Sequence, residues 1–219
     1  MDRTLLLFDL DGTLVDSEEM ILEAQRQTFA ALGLDWPGRD RGLSIVGLSL
    51  PEAFAELAGQ DAPIDALCEA YKQSFFNLRS TGGDLERLFA GASEIVAEFA
   101  AHPACCLGIA TGKSQRGAQA IIASYGWAGL FETVQTADDA PSKPHPGMIE
   151  NACKATGIPP ARTIMIGDSS YDMMMAKSAK AQAVGVAWGF QSVETLRLAG
   201  AGVIVPDFEH LRQHIRLLV

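Results

Sequence analysis

The chain has 219 residues, of which 48% are hydrophobic and 20% charged, and its formal net charge is -10. A globular chain of this length buries roughly 70% of its unfolded surface, so it needs no disulfide or structural metal to hold a core. The composition excludes disordered, collagen-like and coiled-coil chains. The acidic surface would repel a phosphate backbone and no basic run offsets it, so we expect no nucleic-acid partner.

The first predicted strand covers residues 4–9, and a long segment without convincing strands follows it. From about Ser17 to Arg87 the pattern predicts helices separated by turns such as Trp36-Pro37-Gly38 and Thr81-Gly82-Gly83. These helices lie near residues 18–32, 51–58 and 64–78. We interpret residues 17–87 as a helical insertion after the first strand.

After the insertion, apolar strands alternate with helical patterns. Near-continuous apolar runs that end at Gly, Asp or Thr are typical of buried parallel strands. They occupy residues 105–111, 163–168 and 183–188, with weaker candidates at 131–136 and 202–205. Helical patterns occupy residues 92–101, 114–125, 146–156, 171–181, 193–199 and 208–218. The alternation predicts an α/β fold with a doubly wound parallel sheet covered on both faces.

The apolar runs and the cysteines bear on the cellular location of the protein. The run at residues 5–8 is too short for a signal peptide, and no other stretch approaches the roughly 18 residues of a membrane helix. The cysteines lack CxxC spacing, which favours reduced packing residues over a zinc site or disulfides. They are Cys68, Cys105, Cys106 and Cys153. We therefore expect a cytoplasmic protein with no membrane partner.

Polar residues follow the predicted strands at the edge where an open parallel sheet binds ligands. Asp9 and Asp11 follow the first strand, and a side-chain period of two points both the same way, with Leu10 on the other side. Two carboxylates beside the permissive Gly12 suit a hard cation and a phosphoryl group. On its own, this short motif is also typical of a polar turn.

Two later strand ends carry further candidates. Asp168 can reach a cation while Asp172 supports it from one helical turn behind, although capping of the helix by Asp168 explains the pair equally well. Thr111 and Gly112 open a helix, where a hydroxyl and free amides form an anion site. The same segment has one residue too few between its glycines for an ATP-binding Walker loop.

Lysine and arginine side chains supply the remaining candidates. Lys143 lies on a proline-containing loop before a helix, where an isolated lysine is usually solvated. Beside a cluster of carboxylates it would instead neutralise charge and hold phosphoryl oxygens. In the insertion, Arg39, Arg41 and Lys72 are candidates for substrate contact, with solvated charge as the simpler interpretation.

In this order the motifs resemble the haloacid dehalogenase (HAD) superfamily of phosphotransferases. The motifs are DLDGTLVDS at residues 9–17, Thr111, SKPHP around Lys143, and GDSSYD at residues 167–172. The insertion resembles the C1 cap of that superfamily, and the most similar subgroup is the phosphoglycolate phosphatase-like and β-phosphoglucomutase-like one. The resemblance implies a Rossmann-like core formed by residues 1–16 and 88–219, with a cap domain formed by residues 17–87.

The resemblance also implies catalytic and metal-binding roles. Asp9 would be the nucleophile that becomes an aspartyl-phosphate, and Asp11 would protonate the leaving oxygen and then activate water. Mg²⁺ would be held by the Asp9 carboxylate, the Asp11 backbone carbonyl and Asp168. Asp172 would orient Lys143 or a metal-bound water.

Phosphate binding would fall to the strand-end hydroxyl, the lysine and two amides. By resemblance, Thr111 and Lys143 would bind the transferring phosphoryl group, with the amides of Leu10 and Gly112 as further donors. These roles predict a Mg²⁺-dependent phosphatase acting on a small phosphorylated metabolite, with phosphoglycolate and sugar phosphates as candidates.

Two alternatives to a phosphatase remain open. Dehalogenases of this superfamily carry a non-acidic residue where Asp11 stands, so Asp11 favours phosphate ester chemistry. Ser169 replaces a frequent Thr and Gly147 a frequent acidic residue, and neither change touches a proposed catalytic group. The alternatives are a phosphomutase, which would share every core residue, and a catalytically silent binding module on the same scaffold.

Overall fold

The structure is a computed structural model that describes residues 3–81 and 85–219. Gly82 and Gly83 of the predicted turn lie outside the described residues, as do the first two residues of the predicted core. The strands are β1 (Thr4–Phe8), β2 (Val15–Asp16), β3 (Arg87–Leu88), β4 (Cys105–Ala110), β5 (Thr133–Gln135), β6 (Thr163–Gly167), β7 (Gln182–Val186) and β8 (Val203–Val205). The helices are α1 (Glu18–Ala31), α2 (Arg39–Ser44), α3 (Leu50–Ala58), α4 (Ile64–Ser80), α5 (Ala92–Ala100), α6 (Gln115–Ser124), α7 (Gly147–Thr156), α8 (Ser170–Ala179), α9 (Val193–Ala199) and α10 (Phe208–Arg216).

A parallel sheet organises the larger part of the protein. Its strand order is β5-β4-β1-β6-β7-β8, and each neighbouring pair is parallel. Strand β1 is buried along its whole length, since a central strand with helices on both faces has no solvent side. The predicted doubly wound α/β fold is confirmed, and the two weaker strand candidates form the sheet edges β5 and β8.

Apolar side chains form a core on each face of the sheet. Along β1, Leu6 and Phe8 join the cluster that includes residues of α5 and α10, whereas Leu5 and Leu7 join the cluster that includes residues of α7 and α8. This division follows from the alternation of side chains along a strand. Because both faces of β1 are fixed by packing, the position of the segment that leaves its carboxyl end is fixed as well.

The segment between β2 and β3 forms a helical layer with its own core. Helices α1 to α4 contribute to a third apolar cluster that includes Phe29, Phe54 and Leu67. Helix α2 was not predicted, because its six residues are mostly polar or small. The chain enters and leaves the layer through β2 and β3, where Val15 pairs antiparallel with Leu88. Two-residue strands are too short to give a sequence pattern, so this pair was not predicted either.

All four cysteines are buried thiols without a disulfide, as predicted. Burial raises the pKa of Cys105 to about 11 and that of Cys106 to about 12. Both side chains are therefore protonated packing groups at neutral pH. Within residues 3–81 and 85–219, no helix combines the length and apolar character that crossing a bilayer demands.

Candidate active site

The carboxyl ends of the three central strands bring the predicted residues to one edge of the sheet. Asp9 follows β1, Thr111 follows β4 and Asp168 follows β6, and their exposed fractions are only 1%, 0% and 2%. Polar side chains this deeply buried need specific partners. The burial of these three side chains is therefore unlike that of an ordinary polar turn, whose side chains are exposed to solvent.

Asp9, Asp168 and Asp172 form a cluster of buried carboxylates. One oxygen of each lies within 4.8 Å of the others. The Nζ atom of Lys143 lies 3.0 Å from Asp9 Oδ2 and 2.6 Å from Asp172 Oδ1, and Lys143 is 1% exposed. The interpretation of Lys143 as a solvated lysine is therefore wrong, because its ammonium is a counter-charge inside the cluster.

The positive charge of Lys143 does not balance the negative charges of the three carboxylates. Burial raises the pKa of Asp9 to about 7, although Lys143 acts in the opposite direction. Burial and the charges of Asp9 and Asp172 also raise the pKa of Asp168 well above its ordinary value. A divalent cation would relieve this repulsion, and carboxylate oxygens are the ligands that Mg²⁺ prefers. The donor set therefore fits the metal that the resemblance implies.

Hydrogen bonds hold the two later carboxylates in different ways. Asp168 accepts from Thr13 Oγ1 at 3.0 Å and from the Phe190 amide at 2.8 Å. Asp172 accepts from Ser169 Oγ at 2.6 Å, and Ser169 in turn caps α8, so the pair forms a capping box. The alternative interpretation of Asp168 as the helix cap is wrong, because Ser169 takes that position and Asp168 faces the cluster.

Glycines make room for the carboxylates. Gly12 has a φ of +76°, and a Cβ atom there would lie 2.1 Å from Asp168 Oδ2. At Gly167 a Cβ would lie 2.3 Å from Asp172 Oδ2. The sequence indicated the permissive backbone of Gly12, but the close approach to Asp168 depends on segments far apart in the chain.

Asp11 faces a separate set of partners. Its Oδ1 atom accepts from Ser17 Oγ at 2.5 Å and lies 3.0 Å from Lys113 Nζ. Lys113 also lies 3.4 Å from Glu86 Oε1. Burial lowers the pKa of Lys113, but the charges of Asp11 and Glu86 outweigh it and raise that pKa. Lys113 belongs to the Walker-like segment after β4, and no sequence pattern indicated this contact, which joins three distant parts of the chain.

The predicted phosphate-binding residues Thr111 and Gly112 line the same cavity as Asp9. Thr111 Oγ1 accepts from the Lys113 amide at 3.3 Å, and the Leu10 amide donates to Asp9 Oδ1 at 2.7 Å. Gly112 lies against the insertion, since a Cβ there would lie 2.6 Å from the carbonyl oxygen of Gly47. Thr111 and Gly112 thus stand where the strand edge meets the helical layer.

A cavity of about 380 Å³ opens between this edge and the insertion. Asp9, Asp11 and Thr111 line it from the strand edge, and residues of α3 and α4 line it from the insertion. Asp9 and Asp11 therefore border the same space. Such a cavity can hold a ligand whose reacting end meets the carboxylates and whose other end meets the insertion.

The three candidate cations of the insertion have different surroundings. Lys72 lines the cavity, whereas Arg39 pairs with Glu18 at 2.6 Å and Arg41 donates to the backbone oxygen of Glu56. Arg39 and Arg41 are not among the residues that line the cavity. Of the three, only Lys72 is placed to meet a ligand there.

Replacing Lys143 with methionine should destabilise the fold. In Lys143→Met the carboxylates of Asp9 and Asp172 lose their buried counter-charge, which typically costs about 3–5 kcal/mol. Urea denaturation in a metal-free buffer measures the change, and the exposed Lys154→Met serves as the matched control. Equal unfolding free energies for the two variants would contradict the assigned counter-charge.

Comparisons with known proteins identify the family of the chain. The sequence profile described as "Haloacid dehalogenase-like hydrolase" matches residues 6–186. The chain is 32% identical over 213 residues to the "Probable phosphatase IndB" of Dickeya dadantii, covering 95% of this chain and 92% of that protein. It is 29% identical over 219 residues to the "Phosphoglycolate phosphatase" of Photorhabdus laumondii, covering 97% and 92%.

A solved structure shows the same architecture. The crystal structure of a hydrolase from Pseudomonas syringae superposes with a TM-score of 0.85 at 25% identity, covering 98% of each chain. The resemblance in the sequence motifs is thereby confirmed, as is the prediction of an enzyme. The chain belongs to the haloacid dehalogenase-like hydrolase family.

Proposed function

We propose that this hydrolase is a Mg²⁺-dependent phosphatase that transfers the phosphoryl group of a small metabolite to Asp9 and then to water. The observation that carries the proposal is the burial of Asp9 beside Lys143 and Asp168 at the polar end of a ligand-sized cavity. Two relatives described above are named as phosphatases, one of them for phosphoglycolate, which supports the same reaction class.

The two aspartates of the first motif would share the chemistry. The Asp9 carboxylate attacks phosphorus and the bond to the leaving oxygen breaks, while Asp11 donates a proton to that oxygen. In the second step Asp11 takes a proton from a water molecule that attacks the phosphorus of the aspartyl-phosphate. Inorganic phosphate leaves, and both carboxyl groups return to their starting states.

The site must offset the repulsion between a carboxylate and a phosphate dianion. The carboxylates of Asp9 and Asp168 with the Asp11 carbonyl would hold Mg²⁺, which supplies positive charge at the transferring oxygens when bound. Lys143 Nζ, Thr111 Oγ1 and the amide of Gly112 would bind those oxygens. These groups are fixed before substrate arrives, which is what makes such stabilisation effective.

Partners of the two key side chains would position them. Asp172 holds Lys143 at 2.6 Å, so the ammonium stays beside Asp9 rather than following the substrate. Ser17 and Lys113 contact the Asp11 carboxyl, and Asp11 borders the cavity, so these partners would hold the carboxyl for use there. Asp11 can then reach a leaving oxygen while Asp9 faces the phosphorus.

Residues 17–87 would act as a cap over this site. The Ser49 amide donates to Ser142 Oγ at 2.8 Å, which joins the insertion to the loop that carries Lys143. The paired strands β2 and β3 give the cap two adjacent connections to the core. A cap held in this way would exclude water during the first step and admit it for the second.

Phosphate release from a panel of phosphomonoesters tests the proposal. With Mg²⁺ present we expect free phosphate from an aryl phosphate and from phosphoglycolate. From a hexose 1-phosphate we expect phosphate without formation of the 6-phosphate isomer. Isomer as the main product would support the phosphomutase instead. Absence of turnover on every ester would support a binding module and contradict the proposal.

A further inference from the structure

The cavity extends well beyond the reacting groups. Its volume of about 380 Å³ lies within the range of roughly 300–1,000 Å³ that is typical of pockets for drug-sized ligands. A two-carbon leaving group would leave most of this space to water. The size therefore favours a larger leaving group than that of phosphoglycolate.

The cap contributes a row of aromatic rings to the cavity wall. Phe54 and Tyr71 lie 5.6 Å apart between ring centroids at an angle of 70°, and Tyr71 and Phe75 lie 5.7 Å apart at 41°. All three line the cavity. Burial and the charges of Asp11 and Glu86 raise the pKa of Tyr71, so its side chain remains a neutral phenol. Aromatic rings in such tilted arrangements pack well against a further ring.

Cationic side chains fix the outer ring of this row. Lys113 Nζ lies 4.8 Å from the centroid of Phe75, and Arg79 Cζ lies 5.2 Å from it. Both cations are themselves held by Glu86, with Arg79 Nη2 at 2.5 Å and Lys113 Nζ at 3.4 Å. The ring of Phe75 is therefore positioned before a ligand arrives, which lowers the entropic cost of packing against it.

Several polar side chains of the same wall are already engaged. Arg79 and Lys113 pair with carboxylates, and Gln25 donates to the Gly42 carbonyl while it accepts from Trp36 Nε1. A leaving group rich in hydroxyls would exchange its bonds with water for contacts with apolar side chains, which is unfavourable. The part of the wall formed by Phe54, Tyr71 and Phe75 thus suits a ring better than a sugar.

We propose that the cavity selects phosphomonoesters whose leaving group carries an aromatic ring, packed against Tyr71 and Phe75. The inference rests on the proposed phosphatase function. The phosphoryl group would lie against Asp9 and Thr111, and the ring would lie under α4. Tyr71 and Phe75 are then the residues that determine specificity, and they take no part in the chemical steps.

Two alkyl phosphates separate ring recognition from chemical reactivity. The leaving alcohols of phenethyl phosphate and ethyl phosphate have similar basicity, but only the first carries a ring. We expect kcat/KM of the full chain with Mg²⁺ to be at least about tenfold higher for the ring-bearing ester, given the usual gain from burying an aromatic group. Both esters present the same phosphoryl group, so a change in the chemical step alters both kcat/KM values alike and cancels in their ratio.

Variants assign the preference to the aromatic wall. Tyr71→Leu and Phe75→Leu should each lower that ratio several-fold, mainly because the KM for the ring-bearing ester rises. The control Phe131→Leu replaces a partly buried ring outside the cavity and should leave the ratio unchanged. If both esters are hydrolysed with kcat/KM values within threefold of each other, the inference is overturned while the phosphatase function stands. The same holds if Tyr71→Leu and Phe75→Leu leave the ratio of these values unchanged. Phosphate release from the panel esters with none from phenethyl phosphate would overturn the inference alone, whereas no turnover of any ester would overturn both.

Discussion

Asp9→Asn should lower kcat by at least about 10³-fold, the size of effect expected when a nucleophile is removed. Asparagine keeps the shape of the side chain and can still accept the bond that the Leu10 amide makes to Asp9 Oδ1 at 2.7 Å. It removes the charged oxygen that lies 3.0 Å from Lys143 Nζ. Steady-state phosphate release with Mg²⁺ and an aryl phosphate measures the change.

The fold of Asp9→Asn should survive, which separates lost chemistry from lost structure. Lys143 keeps its contact of 2.6 Å with Asp172, and the buried cluster loses one of three carboxylate charges. We therefore expect an unfolding free energy in chelator no lower than that of the parent. Asp16→Asn, on β2 and outside the cavity, serves as the matched control with parental activity. Activity of Asp9→Asn within tenfold of the parent would contradict its role as nucleophile.

The sequence predicted the strand-end residues because parallel topology converts linear position into spatial proximity. Asp9, Thr111 and Asp168 each follow a buried strand, and the carboxyl ends of those strands share one edge. The apolar runs that identified the strands are long enough to give a clear pattern. The location of these residues thus follows from local sequence and one general rule about sheets.

Contacts made through loops could not be predicted in the same way. Lys143 lies between two carboxylates only because its loop turns inward, and the contacts of Lys113 join Asp11 to Glu86 from another part of the chain. A lone lysine gives no periodic signal. Its burial depends on the tertiary arrangement, which determines whether a charged side chain finds a partner.

The cavity wall illustrates a second limit. Tyr71 and Phe75 are four residues apart on α4, so helical periodicity places them on one face. That pattern is the same whether the face packs into a core or borders a ligand cavity. In the structure the face does both, because Leu67 is fully buried, whereas Tyr71 and Phe75 pack partly buried against the same apolar cluster and also line the cavity.

Removal of Mg²⁺ should abolish phosphate release, and its return should restore it. Three buried carboxylates share their space with the ammonium of Lys143, and burial raises the pKa of Asp9 and Asp168. A bound divalent cation would offset the repulsion among these carboxylates, which are close together in the folded chain but not in the unfolded one. Dialysis against a chelator, followed by titration with Mg²⁺, measures the effect on turnover. Full activity in chelator would contradict the metal site.

Stability gives a readout of the same site that does not depend on catalysis. Mg²⁺ at 100 times its dissociation constant should raise the unfolding free energy of the parent by about 2.7 kcal/mol. Asp168→Asn should be no less stable than the parent in chelator, because it lowers the repulsion, yet it should gain far less from Mg²⁺. Asp61→Asn changes an exposed carboxylate and should respond as the parent does. If Asp168 had only a structural role, Asp168→Asn would have a lower unfolding free energy than the parent both in chelator and with Mg²⁺. A cation bound by the Asp168 carboxylate instead predicts a difference in unfolding free energy that appears only when Mg²⁺ is added.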